Sequence, residues 1–123
     1  MSEEKLVSVI IPTYKRADNL SRAVNSVLNQ TYNNIEIIVV DDNDPTSNYR
    51  NETYKIMKEY HNYNNVKYLK HEKNKGGSAA RNTGFKFSKG EYIMFLDDDD
   101  EFLPEKVAAQ VDCLENLDES WGV

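Results

Sequence analysis

The sequence holds a single cysteine, Cys113, among 123 residues. That excludes an internal disulfide framework and a multi-cysteine zinc site. Long apolar stretches are also missing. The longest uninterrupted one, Tyr92–Leu96, falls far short of the roughly 20 residues that a bilayer helix needs, so no transmembrane segment is expected. Positive charge is in deficit: Lys and Arg number 15 against 21 Asp and Glu, a formal charge of −6. Such a balance argues against a nucleic-acid partner, whose phosphates want a basic face. Neither Gly-x-Gly-x-x-Gly nor Gly-x-x-x-x-Gly-Lys-Ser/Thr occurs, which removes the dinucleotide fingerprint and the P-loop. Residues 1–5 are charged and precede a strand-like run with no small-residue cleavage site, so no secretory signal is expected and the cytoplasm is the default compartment.

What is present is ordinary globular composition, 39% apolar and 29% charged, in a length that suits one domain over residues 1–123. The β-branched, nearly all-apolar run Leu6–Ile11, closed by Pro12, predicts a strand buried on both faces, and further strands are predicted at Ile35–Val40, Val66–Leu69 and Tyr92–Leu96. Helical spacing predicts helices at Asp18–Gln30 with Asp18 as N-cap, Asn48–Tyr60, Ser78–Ser88 and Pro104 to about Asn116. Cys113 falls on the apolar side of that last helix, and Trp121-Gly122-Val123 reads as the start of a further strand. Four alternations of strand and helix predict an α/β fold: an open, mostly parallel, Rossmann-like sheet with helices on both faces.

Ligands of such sheets bind beyond the carboxyl ends of the strands, near the point where strand order reverses. The segments there are Pro12–Arg16, Asp41–Asp44, Glu72–Gly77 and Asp97–Glu101, the densest polar stretches of the chain. Like charges about 4 Å apart repel by roughly 4 kcal/mol at an effective dielectric near 20. The Asp97–Asp100 run therefore favours a divalent cation, and oxygen ligands suit Mn²⁺ or Mg²⁺. An extended backbone would turn Asp97 and Asp99 to one side. Asp100 and Glu101 read instead as a solvated loop and helix cap. Asp42 suits a base N–H or a ribose hydroxyl, while Asp42–Pro45 is also good turn chemistry. Tyr14 suits base stacking or edge packing equally, and Arg16 suits a phosphate or a solvated helix face. Lys67, Lys70, Lys73, Lys75, Arg81, Lys86 and Lys89 make residues 67–89 the most basic region. Arg81, set among small residues, suits a diphosphate or a carboxylate in the crevice. His61 and His71 stand apart from each other and from Cys113, which argues against zinc.

Five segments together resemble family 2 glycosyltransferases. They are Val7–Arg16 with Ser26–Tyr32, Ile37–Asp44, Gly76–Gly84, Gly90–Asp100 and Leu103–Lys106, in the family's order and across about residues 6–123. The resemblance implies a GT-A fold, a nucleotide-diphospho-sugar donor (a UDP-sugar first among them), and inverting transfer of the hexosyltransferase type. By motif, Pro12, Thr13 and Tyr14 would line the base pocket and Asp42 would bond the base, with Asp41 beside it. Asp97 and Asp98 would approach ribose and metal, Asp99 would be the principal metal ligand of the DXD motif, and Arg81 would support the acidic face or the diphosphate. Asn43-Asp44-Pro45 departs from the family's commoner Gly-Ser, a change expected to alter the turn more than binding.

The family's acceptor-binding part and catalytic base would follow the fourth βα unit. Residues 1–123 are therefore expected to be a donor-binding half, truncated, inactive alone and self-associating through an exposed sheet edge. Two other classes offer similar length and metal chemistry. A receiver-like Mg²⁺-binding signalling domain wants paired acids after the first strand, where Pro12-Thr13-Tyr14 stands. A nucleotidyltransferase wants a Gly-rich basic loop at that place.

Overall fold

The structure is a computed structural model and describes residues 4–121, with side chains described through residue 117. Four strands, β1 (Val7–Thr13), β2 (Ile35–Asp41), β3 (Val66–Lys70) and β4 (Tyr92–Phe95), alternate with four helices. The helices are α1 (Ala17–Leu28), α2 (Asn48–Lys58), α3 (Gly77–Phe87) and α4 (Lys106–Trp121). All strand pairs are parallel, in the order β3-β2-β1-β4. The chain winds outward from β1 through β2 to β3, then returns to the far side of β1. Strand order reverses at β1, and there a crevice opens at the carboxyl edge.

Strand alternation sorts the core into two layers. Val7, Val9, Ile11, Ile35, Ile37 and Val39 face α1, α2 and α4, against Leu20, Ala23, Val24, Val27, Met57, Val107 and Val111. Ile10, Ile38 and Val40 face the other way, against Ala80 of α3. The central strands β1 and β2 are apolar on both faces because helices cover both.

Several element ends differ from the sequence expectation. Asp18 lies inside α1, whose N-cap is Arg16 with no side-chain hydrogen bond. Pro104 precedes α4, and the first turn of that helix is served from α1's end: buried Gln30 accepts from the Val107 amide at 2.9 Å and donates to Leu103 O at 2.7 Å. Cys113 is exposed, because α4 packs mainly through Val107 and Val111. Trp121 ends α4 rather than opening a strand, and Gly122 and Val123 lie outside the described residues. Among the described residues no helix is long and apolar enough to cross a membrane.

The approach of α3 to β1 depends on Gly84. A Cβ there would meet Ile10 Cγ2 at 2.4 Å. Gly84→Ala gains about 1 kcal/mol in helix propensity, but the overlap is expected to outweigh it for a net loss of about 1–3 kcal/mol. Urea unfolding of the variant measures this, and unchanged stability would contradict the close packing.

Candidate functional site

A cavity of about 380 Å³ opens at the carboxyl ends of β1, β2 and β4. Pro12, Thr13, Tyr14, Arg16, Asp42, Arg81, Asp97 and Asp98 line it, with Asn74, Gly76, Gly77 and Ala80. Thus one hollow gathers the sequence-singled residues apart from Asp41 and Asp99.

Asp41 is excluded by strand geometry. It follows the parity of Ile37 and Val39 and lies on the α2 side, fully buried. There Arg50 Nε stands 3.0 Å from Oδ2, Tyr68 donates its hydroxyl to Oδ2, and Asn43 donates to Oδ1 from its backbone and side chain. Burial, and then the Asp41 carboxylate, push the Tyr68 phenol far above its usual value. Asp41 is therefore a structural anchor, not Asp42's neighbour in the hollow. Asn43 is bound into the same anchor and also accepts from the Lys15 amide at 2.8 Å, where Lys15 takes a left-handed φ of 57°.

Asp42 follows the opposite parity and faces the α3 side. Its Oδ1 accepts from His71 Nδ1 at 2.7 Å and the Lys75 amide at 2.8 Å. Its Oδ2 accepts from Asn74 Nδ2 at 2.7 Å and the Gly76 amide at 2.9 Å. A carboxylate offers about four acceptor sites, so protein donors occupy all of them. A base N–H reaching Asp42 must exchange with one of these donors. Sequence reasoning missed His71 and Asn74: polar residues around an exposed loop carry no periodic signal, and His71 had no nearby ligand in sequence.

The acidic run after β4 does not stay extended. The Asp100 amide bonds to Asp97 O at 3.0 Å and closes a turn, so the extended-strand alternation expected for Asp97 and Asp99 is not formed. Asp97 is exposed on the cavity and its carboxylate makes no hydrogen bond or ion pair among the described residues. Asp99 instead pairs with Arg16 at the rim. Asp98 is buried, with its Oδ2 accepting from the Tyr14 amide at 3.2 Å. Burial raises the Asp98 carboxyl above its usual value, against the nearby Thr13 hydroxyl, the Tyr14 amide and Arg16, while Asp99 repels it further. Thr13 Oγ1 is itself buried without a full hydrogen-bond partner. Among the described residues no group of three or more His, Cys, Asp or Glu converges to hold a metal alone. Mg²⁺ and Mn²⁺ sites commonly use one or two carboxylates and take their remaining ligands from substrate phosphates and water, and the unpaired Asp97 suits that donor set.

The sequence profile of Glycosyl transferase family 2 matches residues 8–121. The chain belongs to this family. Among curated relatives, the poly(ribitol-phosphate) beta-N-acetylglucosaminyltransferase TarP of Staphylococcus aureus is 46% identical over 99 residues, covering 78% of this chain and 29% of TarP. The Escherichia coli UDP-Glc:alpha-D-GlcNAc-diphosphoundecaprenol beta-1,3-glucosyltransferase WfgD is 38% identical over 109 residues, covering 89% of this chain and 41% of WfgD. The crystal structure of S. aureus TarS 1-349 in complex with UDP-GlcNAc superposes with a TM-score of 0.77 at 31% identity, over 89% of this chain and 31% of that one. The GT-A fold of the family is thereby shared. The chain spans less than half the length of these curated relatives.

The Asp98 environment sets a pH dependence. A carboxyl whose folded pKa is raised binds its proton more tightly in the folded state, so its contribution is full below the unfolded value and lost as pH rises through the folded one. Asp98→Asn is therefore expected to gain stability relative to wild type as pH rises from about 3 to 7. Urea unfolding across that range checks it, and a pH-independent difference would refute it.

Proposed function

We propose that residues 4–121 form the donor-binding part of a transferase that takes its sugar from a nucleotide diphosphate, with a UDP-sugar as the donor. The observation that carries this reading is the single cavity lined by Tyr14, Asp42, Arg81, Asp97 and Asp98 at the strand-order reversal. The UDP-GlcNAc complex of TarS and the UDP-Glc named for WfgD support the choice of base.

In this reading Pro12, Thr13 and Tyr14 receive the base, and Asp42 bonds it in exchange for one of its donors from the 74–76 loop. The buried Thr13 hydroxyl and Asp98 suit ribose oxygens. Arg81 and the N-terminus of α3 suit the diphosphate by charge. Asp97 would hold Mn²⁺ or Mg²⁺ on the cavity side, with Asp99 joining once Arg16 releases it. When bound, the cation offsets the charge of the departing diphosphate. Transfer with inversion then requires an acceptor hydroxyl that attacks the anomeric carbon from the face opposite the diphosphate. A carboxylate base carried elsewhere in the transferase takes its proton. Residues 1–123 alone would bind donor without turning it over, a reading that also keeps the cytoplasm as its compartment.

Calorimetric titration with UDP, with and without Mn²⁺, tests the site. Binding is expected, strengthened by Mn²⁺ about tenfold, or 1.4 kcal/mol. The Asp97→Ala/Asp99→Ala double variant is expected to lose that gain. Retention of the gain would refute the metal role, and absence of UDP binding in both conditions would refute the nucleotide reading.

β4 is the last strand on its side of the described sheet, and Phe95 on it is 47% exposed. Self-association through this edge belongs to the same proposal. Sedimentation is expected to show concentration-dependent dimers, and a monomer that stays dispersed at high concentration would count against it.

A further inference from the structure

We propose that His71 is the positioning residue that fixes the Asp42 carboxylate for nucleoside recognition, through a Thr83–His71–Asp42 relay. The inference rests on the nucleotide reading above and assigns a role to a buried side chain which that reading does not use.

His71 lies one residue beyond β3 and is 6% exposed. Its backbone is held twice. The amide donates to Asp41 O at 2.9 Å, and the carbonyl accepts from Arg50 Nη2 at 2.6 Å. The ring therefore has a fixed base. Its Nδ1 stands 2.7 Å from Asp42 Oδ1 and its Nε2 stands 2.7 Å from Thr83 Oγ1. A carboxylate only accepts, which assigns a proton to Nδ1. Nε2 is left to the Thr83 hydroxyl, which can accept from a ring N–H or donate to a bare ring nitrogen. Both ring nitrogens are satisfied, and the ring plane is set by α3 on one side and the aspartate on the other.

The other three donors to Asp42 differ in kind. The Asn74 side chain and the Lys75 and Gly76 amides belong to a loop in which Asn74 and Lys75 are exposed and Gly76 takes a φ of 98°. A loop donor is the one a ligand N–H can displace at least cost, because water or ligand can satisfy the group that lets go. His71 is buried and has no such replacement. It stays on Oδ1 while the loop exchanges, so the carboxylate keeps its orientation when a base arrives. The relay also joins the two ends of the hollow, since Thr83 sits on the helix that carries Arg81.

The test compares UDP with inorganic pyrophosphate, both with Mn²⁺, on the 123-residue chain by calorimetry. Expected is a loss of UDP affinity of about tenfold in His71→Ala with pyrophosphate affinity held within about twofold, and a loss of about threefold for UDP in Thr83→Val. His71→Asn places an amide N–H near the position of Nδ1 and is expected to recover most of the UDP affinity. Nitrogen-resolved NMR of the wild-type imidazole is expected to show the proton on Nδ1. A role in stability alone would weaken both ligands together and would not be rescued by asparagine; either result overturns the inference, as does an Nδ1 that carries no proton. If His71→Ala does not fold, His71→Asn, Thr83→Val and the tautomer decide it. Wild-type UDP binding with unchanged affinity in the folded His71 and Thr83 variants removes the relay alone, whereas no UDP binding in wild type removes the nucleotide reading and the relay with it.

Discussion

The end of β2 divides two adjacent aspartates between opposite faces of the sheet, and the shape of the cavity depends on that division. Strand alternation sends Asp41 toward α2 and Asp42 toward α3. Both are buried, so each needs its own donors to offset lost hydration. Asp41 has the Arg50 guanidinium, Tyr68 and Asn43. Asp42 has His71, Asn74 and two loop amides. The first set ties α2 and β3 to the sheet, and the second folds the 74–76 loop over the crevice. A shift of register by one residue would exchange the roles and leave each carboxylate among the wrong partners.

The hollow mixes charge rather than presenting one sign. Arg16 and Arg81 line it together with Asp42, Asp97 and Asp98. Of the acids, Asp42 is saturated by protein donors, and Asp98 is held above its usual carboxyl value by burial. Asp97 is the carboxylate left without a partner among the described residues of the hollow. The Arg16–Asp99 pair at the rim is exposed, and solvent weakens such pairs to about 1 kcal/mol or less. It can therefore open for a phosphate or a cation at small cost. The rigid groups lie at the Asp42 end and the exchangeable ones at the Asp97–Asp99 end, which suits a ligand recognised at one end and carrying charge at the other.

The fold was legible in the sequence wherever burial dictates residue type. The β-branched runs locate β1 and β2, and α1 buries Leu20, Ala23, Val24 and Val27 at the spacing that predicted it. The strand-end map brings Tyr14, Asp42, Asp97 and Asp98 to one cavity, because a parallel sheet places every such loop at the same edge, and Arg81 lines it from α3. Polar detail was less legible. The Asp97–Asp99 alternation assumed an extended backbone, and a single turn hydrogen bond at Asp100 removes it. The start of α2 at Asn48 was read correctly, but those of α1 and α4 were misplaced, because α1 has no side-chain cap and α4 uses Gln30, 77 residues from Val107 in sequence. His71 gave no local signal for the same reason: its partners Asp42 and Thr83 are 29 and 12 residues away.

Helix α3 links stability to the site. Its contact with the sheet is a narrow apolar waist of Ile10, Ile38, Val40 and Ala80. Polar groups close both ends of that waist. At the amino end of the strands, buried Glu36 accepts from Ser8, the Lys89 amide and Lys67. Burial works to raise Glu36, yet these donors together hold it below the usual carboxylate value. At the carboxyl end stands the Asp42 cluster. Gly84 lets the helix sit close on Ile10, and that depth sets how far Thr83 and Arg81 reach toward the crevice. A small residue beside Thr83 on the same helix thus fixes that spacing, and lifting the helix by one methyl group would draw Thr83 away from His71. The waist contributes apolar burial, but its placement of the two ends is what the cavity requires.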